Sequence, residues 1–354
     1  MSLAVWASVN SVLRLVKVKT KLEKAWYGEA SWVRLLRPLS LIFGWVSQSR
    51  RSRDQRQAQP AKVPVVVVGN ISVGGTGKTP LLIAMIRLCQ QEGLRVGVIS
   101  RGYGGVADNY PLSVTHATDP ALCGDEPAMI VRQTGVSLVV DPDRVSAVNA
   151  LLALEPLDLI LSDDGLQHYR LARQLEIAVV DATRGLGNGQ LLPEGPLREG
   201  PERLSQVDFV AINGEGGFDY PDALHYHLAP VALRNLQSGE IREPQQAAVL
   251  TPSVNALAAI GNPERFFETL NGLGFEVYGV ALPDHAAIDP QRLAELSHET
   301  LVMTEKDAVK CGPAVNANCW VLSVEARLDQ RSEERLKAAL LSLVAAHNGE
   351  RNGS

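Results

Sequence analysis

The chain has 354 residues, 45% of them hydrophobic and 21% charged, with 30 glycines and 20 prolines. This excludes collagen-like, low-complexity and wholly disordered classes and leaves room for one large domain or two medium ones. The net charge of −5 hides an asymmetry: residues 1–62 hold 12 Lys/Arg against three acids, and the remainder holds 22 against 36.

The basic start also carries Trp6, Trp26, Trp32 and Trp45, four of the five tryptophans. A basic, Trp-rich segment on an acidic body points to an anionic membrane surface and away from nucleic acid, which the body would repel. The uncharged runs 1–13 and 38–49 are shorter than the roughly 20 residues of a spanning helix. Arg14, the first charge, follows the apolar run, whereas a signal peptide puts its charges first. Trp32, Leu35, Leu36, Leu39, Ile42, Phe43 and Trp45 crowd one stretch beside Arg34 and Arg37, which reads as an interfacial helix. The competing reading is a helix docked on the protein's own core. Removal of residues 1–47 is expected to leave a folded body that no longer partitions onto anionic vesicles.

From residue 63 the pattern changes to short β-branched runs, with strands expected at 65–68, 95–100, 136–140, 157–161, 176–181 and 207–212. Val65-Val66-Val67-Val68 does not alternate with polar residues, so both faces are buried, as in a parallel sheet sandwiched by helices. A Gly/Pro-rich loop at 185–201 is long enough to be functional. Beyond 214, strands are expected at 224–231, 254–260, 276–281, 300–304 and 320–324, with helices at 263–273, 290–296 and 333–346. The expected organisation is an amino-terminal segment 1–62, a P-loop core 63–213, a β-strand linker 214–245 and a smaller α/β domain 246–354. Cys89, Cys123, Cys311 and Cys319 show no metal or disulfide spacing, which fits a reducing compartment.

Directly after the first strand comes Gly69-Asn70-Ile71-Ser72-Val73-Gly74-Gly75-Thr76-Gly77-Lys78-Thr79. Strand, glycine loop, GKT and helix follow in the order of a phosphate-binding loop. Backbone N–H groups of Gly74, Gly75, Thr76 and Gly77 form an anion nest, Lys78 reaches the terminal phosphates, and the Thr79 hydroxyl suits Mg²⁺. The strict pattern has glycine where Ser72 stands. A second strand ends in Asp163-Asp164-Gly165, two acids placed for Mg²⁺ beside such a loop. A guanine-reading NKxD is absent, because Thr304-Glu305-Lys306-Asp307 sets its lysine one residue late. Val73 stands where partner-regulated dimeric ATPases carry their signature lysine.

Together with GNISVGGTGKTP (69–80), the blocks SRGYGG (100–105), GDEP (124–127), DPDR (141–144), SDDGLQH (162–168), LLPEGPLRE (191–199), GNPERFF (261–267), PDH (283–285) and TEKDAVK (304–310) closely resemble the tetraacyldisaccharide 4′-kinases. Departures from that pattern are Ser162, Leu166 and Glu194. The resemblance implies transfer of the ATP γ-phosphoryl group to the 4′-hydroxyl of an acylated glucosamine disaccharide 1-phosphate. It also implies a monotopic enzyme on the cytoplasmic face of the bacterial inner membrane, with no obligate protein partner. By the same resemblance Asp125 is the base, supported by His285 from the second domain. Asp163 and Asp164 hold Mg²⁺ with Thr79, and Glu126 and Glu199 serve the nucleotide. Arg198 stabilises the transferring phosphoryl group. Asn70, Ser72, Arg101, Tyr103 and Arg144 belong to the lipid-disaccharide side, and His168 orients its neighbours there. The rival class is a regulatory or metallochaperone NTPase, which has no need of an Asp125–His285 pair.

Overall fold

The computed structural model describes residues 21–28 and 30–352, so the apolar run 1–13 with Trp6 lies outside the described residues. Residues 21–26 are helical, and a 3₁₀ turn at Ser31–Leu36 leads into helix α1 (Arg37–Arg56), with Pro38 in its first turn. Strand β1 (Val65–Gly69), buried throughout, feeds the glycine loop and helix α2 (Lys78–Gln91). Then follow β2 (Val96–Ser100), β3 (Leu112–Val114), α3 (Pro120–Cys123), α4 (Asp125–Thr134), β4 (Ser137–Val140), α5 (Arg144–Leu154), β5 (Leu159–Asp163), β6 (Leu175–Asp181) and β7 (Phe209–Asn213). The second half holds β8 (Leu224–Asn235), β9 (Ile241–Arg242), α6 (Pro244–Leu250), β10 (Ser253–Ala258), α7 (Pro263–Gly272), β11 (Glu276–Ala281), α8 (Pro290–Leu296), β12 (Leu301–Thr304), α9 (Glu305–Ala308), β13 (Cys319–Leu328) and α10 (Gln330–Asn352). Side-chain oxygens of Asp119, Asp143, Asp289 and Thr304 accept from backbone N–H groups at the starts of α3, α5, α8 and α9.

All strands join one sheet in the order β11-β10-β12-β13-β8-β7-β6-β1-β5-β2-β4-β3, with β9 beside β8. The strands β2, β4, β5, β1, β6 and β7 run parallel, as do β10, β11, β12 and β13. The long strand β8 runs parallel to β7 and antiparallel to β13, so the two sets point in opposite directions. The registers set the gap between them. Asn213, the end of β7, lies opposite Tyr226, whereas Thr304, the end of β12, lies opposite Leu322 and through it Leu233. The stretch of β8 from Tyr226 to Leu233 spans about 23 Å at the rise of a strand. The carboxyl ends of both sets face each other across this gap, where ligands of open α/β sheets bind.

Separate apolar cores cover the faces of the two halves. The last helix was read with the second half, yet Leu336, Leu340 and Val344 of α10 pack with Leu81, Met85 and Leu88 in the first. The reason is β13, which runs back along β8 and delivers the chain to the first half. β3, three residues long, carries too little pattern to be read from sequence.

Leu336 is fully buried where α10 meets α2. Leu336→Ala is expected to cost about 2–5 kcal/mol, read as a lower urea midpoint at unchanged m-value.

Candidate active site

The phosphate loop bends where its glycines permit. Gly74 and Gly77 have φ of +103° and +91°, a region that costs side-chain-bearing residues dearly. At Gly77 a Cβ would come within 2.3 Å of Asn213 Nδ2, so glycine is required for space as well. Asn213, at the end of β7, donates to the Thr76 carbonyl at 3.1 Å, and the Tyr226 hydroxyl donates to the Gly77 carbonyl at 3.0 Å. These bonds turn loop carbonyls toward the protein. Lys78 and Thr79 open α2, whose first N–H groups have no intrahelical acceptor and whose dipole favours an anion.

β5 lies beside β1 and brings Asp163 and Asp164 to the loop. Asp164 adopts a left-handed backbone (φ +46°), and its carboxylate meets Lys78 Nζ at 3.5 Å and Arg198 Nη1 at 3.1 Å. Burial alone would raise its pKa, but Lys78 and Arg198 outweigh it and hold the carboxyl well below the usual range. Asp163 is pushed the other way, by burial and then by Glu126 and Asp164. Its Oδ2 accepts from Ser100 Oγ at 3.4 Å, while Oδ1 is buried without a partner.

Across the cleft, His285 Nδ1 lies 3.2 Å from Asp125 Oδ2, and its Nε2 lies 3.1 Å from Lys306 Nζ. An ammonium only donates, so Nε2 carries the lone pair and Nδ1–H donates to Asp125. Lys310 Nζ stands 3.4 Å from the same Asp125 oxygen. Burial would raise the Asp125 pKa, but the His285 hydrogen bond and Lys310 prevail and lower it. Lys306 also reaches Glu126 at 3.3 Å and Asp284 at 3.2 Å; burial opposes its charge, and these carboxylates keep its pKa raised. His285, like Asp164, sits at positive φ (+60°), a backbone region that is strained for a residue with a side chain. Tyr103 stacks edge-on against the His285 ring at 5.0 Å.

Other expected residues are placed differently from one another. Arg101 is exposed and makes no ion pair among the described residues. Arg144 is buried and donates to the carbonyls of Asp141 (2.8 Å) and Asp163 (3.4 Å), which braces the carboxylate strand from behind. Glu199 is buried and already partnered: it accepts from the Tyr169 hydroxyl and from Gln167 Nε2 (2.9 Å), near Arg203. Asn70 is buried and donates to the Gly74 carbonyl at 3.4 Å, so it braces the loop from inside. Ser72 pairs through its backbone with Leu197. Lys306 and Lys310 were not singled out as site residues, although both lie in the TEKDAVK block. Their partners stand on other elements, and no local spacing signals a contact about 180 residues away. Arg265 was missed for the same reason; it crosses from α7 to Asp181 at 2.9 Å.

The amino-terminal segment packs against the site. Val73 of the phosphate loop and Leu192 of the 185–201 loop pack on the cluster Ala25, Trp26 and Val33. Removal of residues 1–47 therefore strips apolar support from the phosphate loop. One face of α1 docks on the 185–201 loop, while Leu39, Leu41, Ile42 and Trp45, with Leu35 in the turn before it, are exposed, Trp45 at 72%.

The cleft between the halves encloses about 2080 Å³, lined by the phosphate loop, both aspartates, His285 and Lys306. That exceeds the volume of an ordinary small-molecule site. The fold and this loop define a P-loop kinase of the parallel α/β type. The family model for tetraacyldisaccharide-1-P 4′-kinase matches residues 32–344. A tetraacyldisaccharide 4′-kinase of Azotobacter vinelandii is 49% identical over 92% of this chain and 98% of its own length. One from Pseudomonas aeruginosa is 51% identical over 86% of this chain and 92% of its own. The crystal structure of LpxK from Aquifex aeolicus in complex with ATP superposes with a TM-score of 0.72 at 25% identity, covering 88% of this chain and 99% of that one. The chain belongs to the tetraacyldisaccharide 4′-kinase family.

His168 supplies a pH test of the site. Burial, reinforced by Arg144 and Arg101, lowers its pKa from 6.5 to about 3. Between these values the unfolded chain binds a proton that the folded protein refuses, so His168 makes stability fall as pH falls through that window. His168→Gln is expected to reduce the drop in thermal midpoint between about pH 7.5 and about pH 5, measured by calorimetry on both proteins.

Proposed function

We propose that this protein transfers the γ-phosphoryl group of ATP to the 4′-hydroxyl of an acylated glucosamine disaccharide 1-phosphate, a lipid A precursor. The observation that carries this reading is the Asp125–His285 pair, which closes on the cleft that holds the phosphate loop. A sugar hydroxyl is a weak nucleophile and needs a base within hydrogen-bond reach. Asp125 presents one oxygen to His285 and Lys310, and its other oxygen has no hydrogen-bond partner among the described residues. That second oxygen takes the hydroxyl proton as the sugar oxygen attacks the γ-phosphorus and the bond to the β–γ bridging oxygen breaks. His285 Nδ1–H holds the carboxylate in place and stabilises its charge, and Lys306 fixes the ring tautomer. Lys78 and Arg198 provide positive charge at the transferring group. Arg101 and Tyr103, exposed at the rim, suit the headgroup and its 1-phosphate.

The buried, unpartnered Asp163 oxygen and the Thr79 hydroxyl fit Mg²⁺, a hard cation that takes its remaining oxygens from phosphates and water. Asp163 fits better than Asp164, whose oxygens are engaged by Lys78 and Arg198. When bound, the ion neutralises charge on the β- and γ-phosphates.

An acceptor with four acyl chains suits an enzyme that rests on a bilayer and lifts only the headgroup to its site. Among the described residues no helix is long and apolar enough to cross a membrane. The exposed apolar face of α1, next to Arg34, Arg50 and Arg53, supports attachment to an anionic surface. Work from the cytoplasmic side follows from the supply of ATP.

Labelled ATP, purified protein and an acylated disaccharide 1-phosphate test the reaction directly. Lys78→Ala is expected to reduce turnover by roughly three orders of magnitude or more. Asp125→Asn should lower kcat strongly with MgATP binding mostly retained. His285→Ala should lose less, and the double variant less than the product of the two losses. No transfer by the unaltered protein, or strictly multiplicative losses, would contradict the assignment. Vesicle co-sedimentation tests the surface: binding to anionic vesicles should weaken in high salt without vanishing, since apolar insertion is not screened.

A further inference from the structure

The 185–201 loop is gripped from two sides. On one side the amino-terminal segment holds its turn. The Trp26 indole N–H donates to the Pro193 carbonyl at 3.0 Å. The Ser40 hydroxyl donates to the Leu191 carbonyl at 3.0 Å and accepts from the Glu194 N–H at 2.9 Å. Arg37 donates through Nε and Nη2 to Glu194 Oε1, at 3.2 and 3.1 Å. On the other side the loop is stitched to the phosphate loop. Val73 N–H donates to the Pro196 carbonyl at 2.9 Å, and Arg198 N–H donates to the Ile71 carbonyl at 2.6 Å. The next group along is the Arg198 guanidinium on Asp164.

Glu194 is a position where the sequence departs from the pattern it resembles. Its side chain is 3% exposed, and among the described residues its carboxylate meets one cation, Arg37, which is itself 58% exposed. A buried carboxylate holds its place only with its counter-charge; without it, the turn must open to hydrate the group. The pair therefore holds the turn in register with α1 for as long as both charges are present.

We propose that Arg37 and Glu194, with Ser40 beside them, are positioning residues for phosphoryl transfer. They fix the 191–194 turn, through it the 196–198 segment, and so the place of Arg198 and of the phosphate loop at Val73. The amino-terminal helix is then a working part of the transfer site as well as an attachment. The proposal rests on the kinase reading above.

The test uses the full chain, with Arg37→Ala and the double variant Arg37→Ala/Glu194→Ala. Arg37→Ala leaves a buried carboxylate without its cation. It is expected to speed hydrogen–deuterium exchange at the amides of Val73, Leu197 and Arg198, with α2 unaffected. Its kcat should fall about tenfold, with apparent KM for vesicle-presented acceptor within about twofold and vesicle co-sedimentation unchanged. The double variant, which removes both charges, should recover most of the protection and most of kcat. Unchanged exchange in Arg37→Ala, or a double variant as impaired as the single one, would overturn the proposal. So would vesicle binding that falls in step with activity, which would make Arg37 a lipid contact. Absence of transfer by the unaltered protein would defeat the kinase reading alone, because the exchange comparison judges the positioning claim by itself.

Discussion

Four carboxylates, Asp125, Glu126, Asp163 and Asp164, are drawn into one cleft, where their mutual repulsion must be offset. Lys78 and Arg198 answer Asp164, Lys310 and His285 answer Asp125, and Lys306 answers Glu126. Asp163, with a buried oxygen that no group meets, is the exception that a hard cation suits. In low dielectric an uncompensated charge costs far more than at the surface. The architecture serves this requirement. Its cations come from the phosphate loop, the 185–201 loop and the second half of the sheet.

The opposed strand sets make that possible. In a wholly parallel sheet all carboxyl ends lie along one edge, and a site collects side chains from neighbouring loops only. The reversal at β8 and β13 adds a second row of strand ends that faces the first. Asp125 from one row then meets His285 and Lys310 from the other. Contacts of this kind exist only when both rows are correctly spaced, so the Asp125–His285 pair is assembled by the same geometry that forms the cleft. Arg265 on Asp181 and Arg184 on the Gly261 carbonyl (3.0 Å) tie the two sides at the loop itself.

The amino-terminal segment shows how one helix presents two unlike faces. Positions 37, 40 and 44 of α1 lie on one face at helical spacing. They meet the 185–201 loop through a guanidinium, a hydroxyl and a glycine whose Cβ would come within 2.8 Å of Leu191. The small and polar stripe allows close approach, and the bulky apolar stripe is left facing outward. A helix docked by its apolar face would have had the reverse pattern.

Much of this was legible in the sequence, and for local reasons. The four-valine strand, the glycine loop and the Asp-Asp-Gly turn are set by backbone geometry over a few residues: burial on both faces, positive φ at Gly74 and Gly77, and acids at a strand end. Their order along the chain, with the GDEP, PDH and TEKDAVK blocks, was enough to place the family. What the sequence could not show is which charges meet. Arg144 and Glu199 are a cation and an anion in suggestive blocks, yet packing turns one onto backbone carbonyls and the other onto Tyr169. Lys306 and Lys310 gained their place from the reversal of β13 along β8, and α10 joined the first core by the same reversal. Local chemistry is written in neighbouring residues; the pairing of distant charges depends on register and strand direction, which exist only once the sheet has formed.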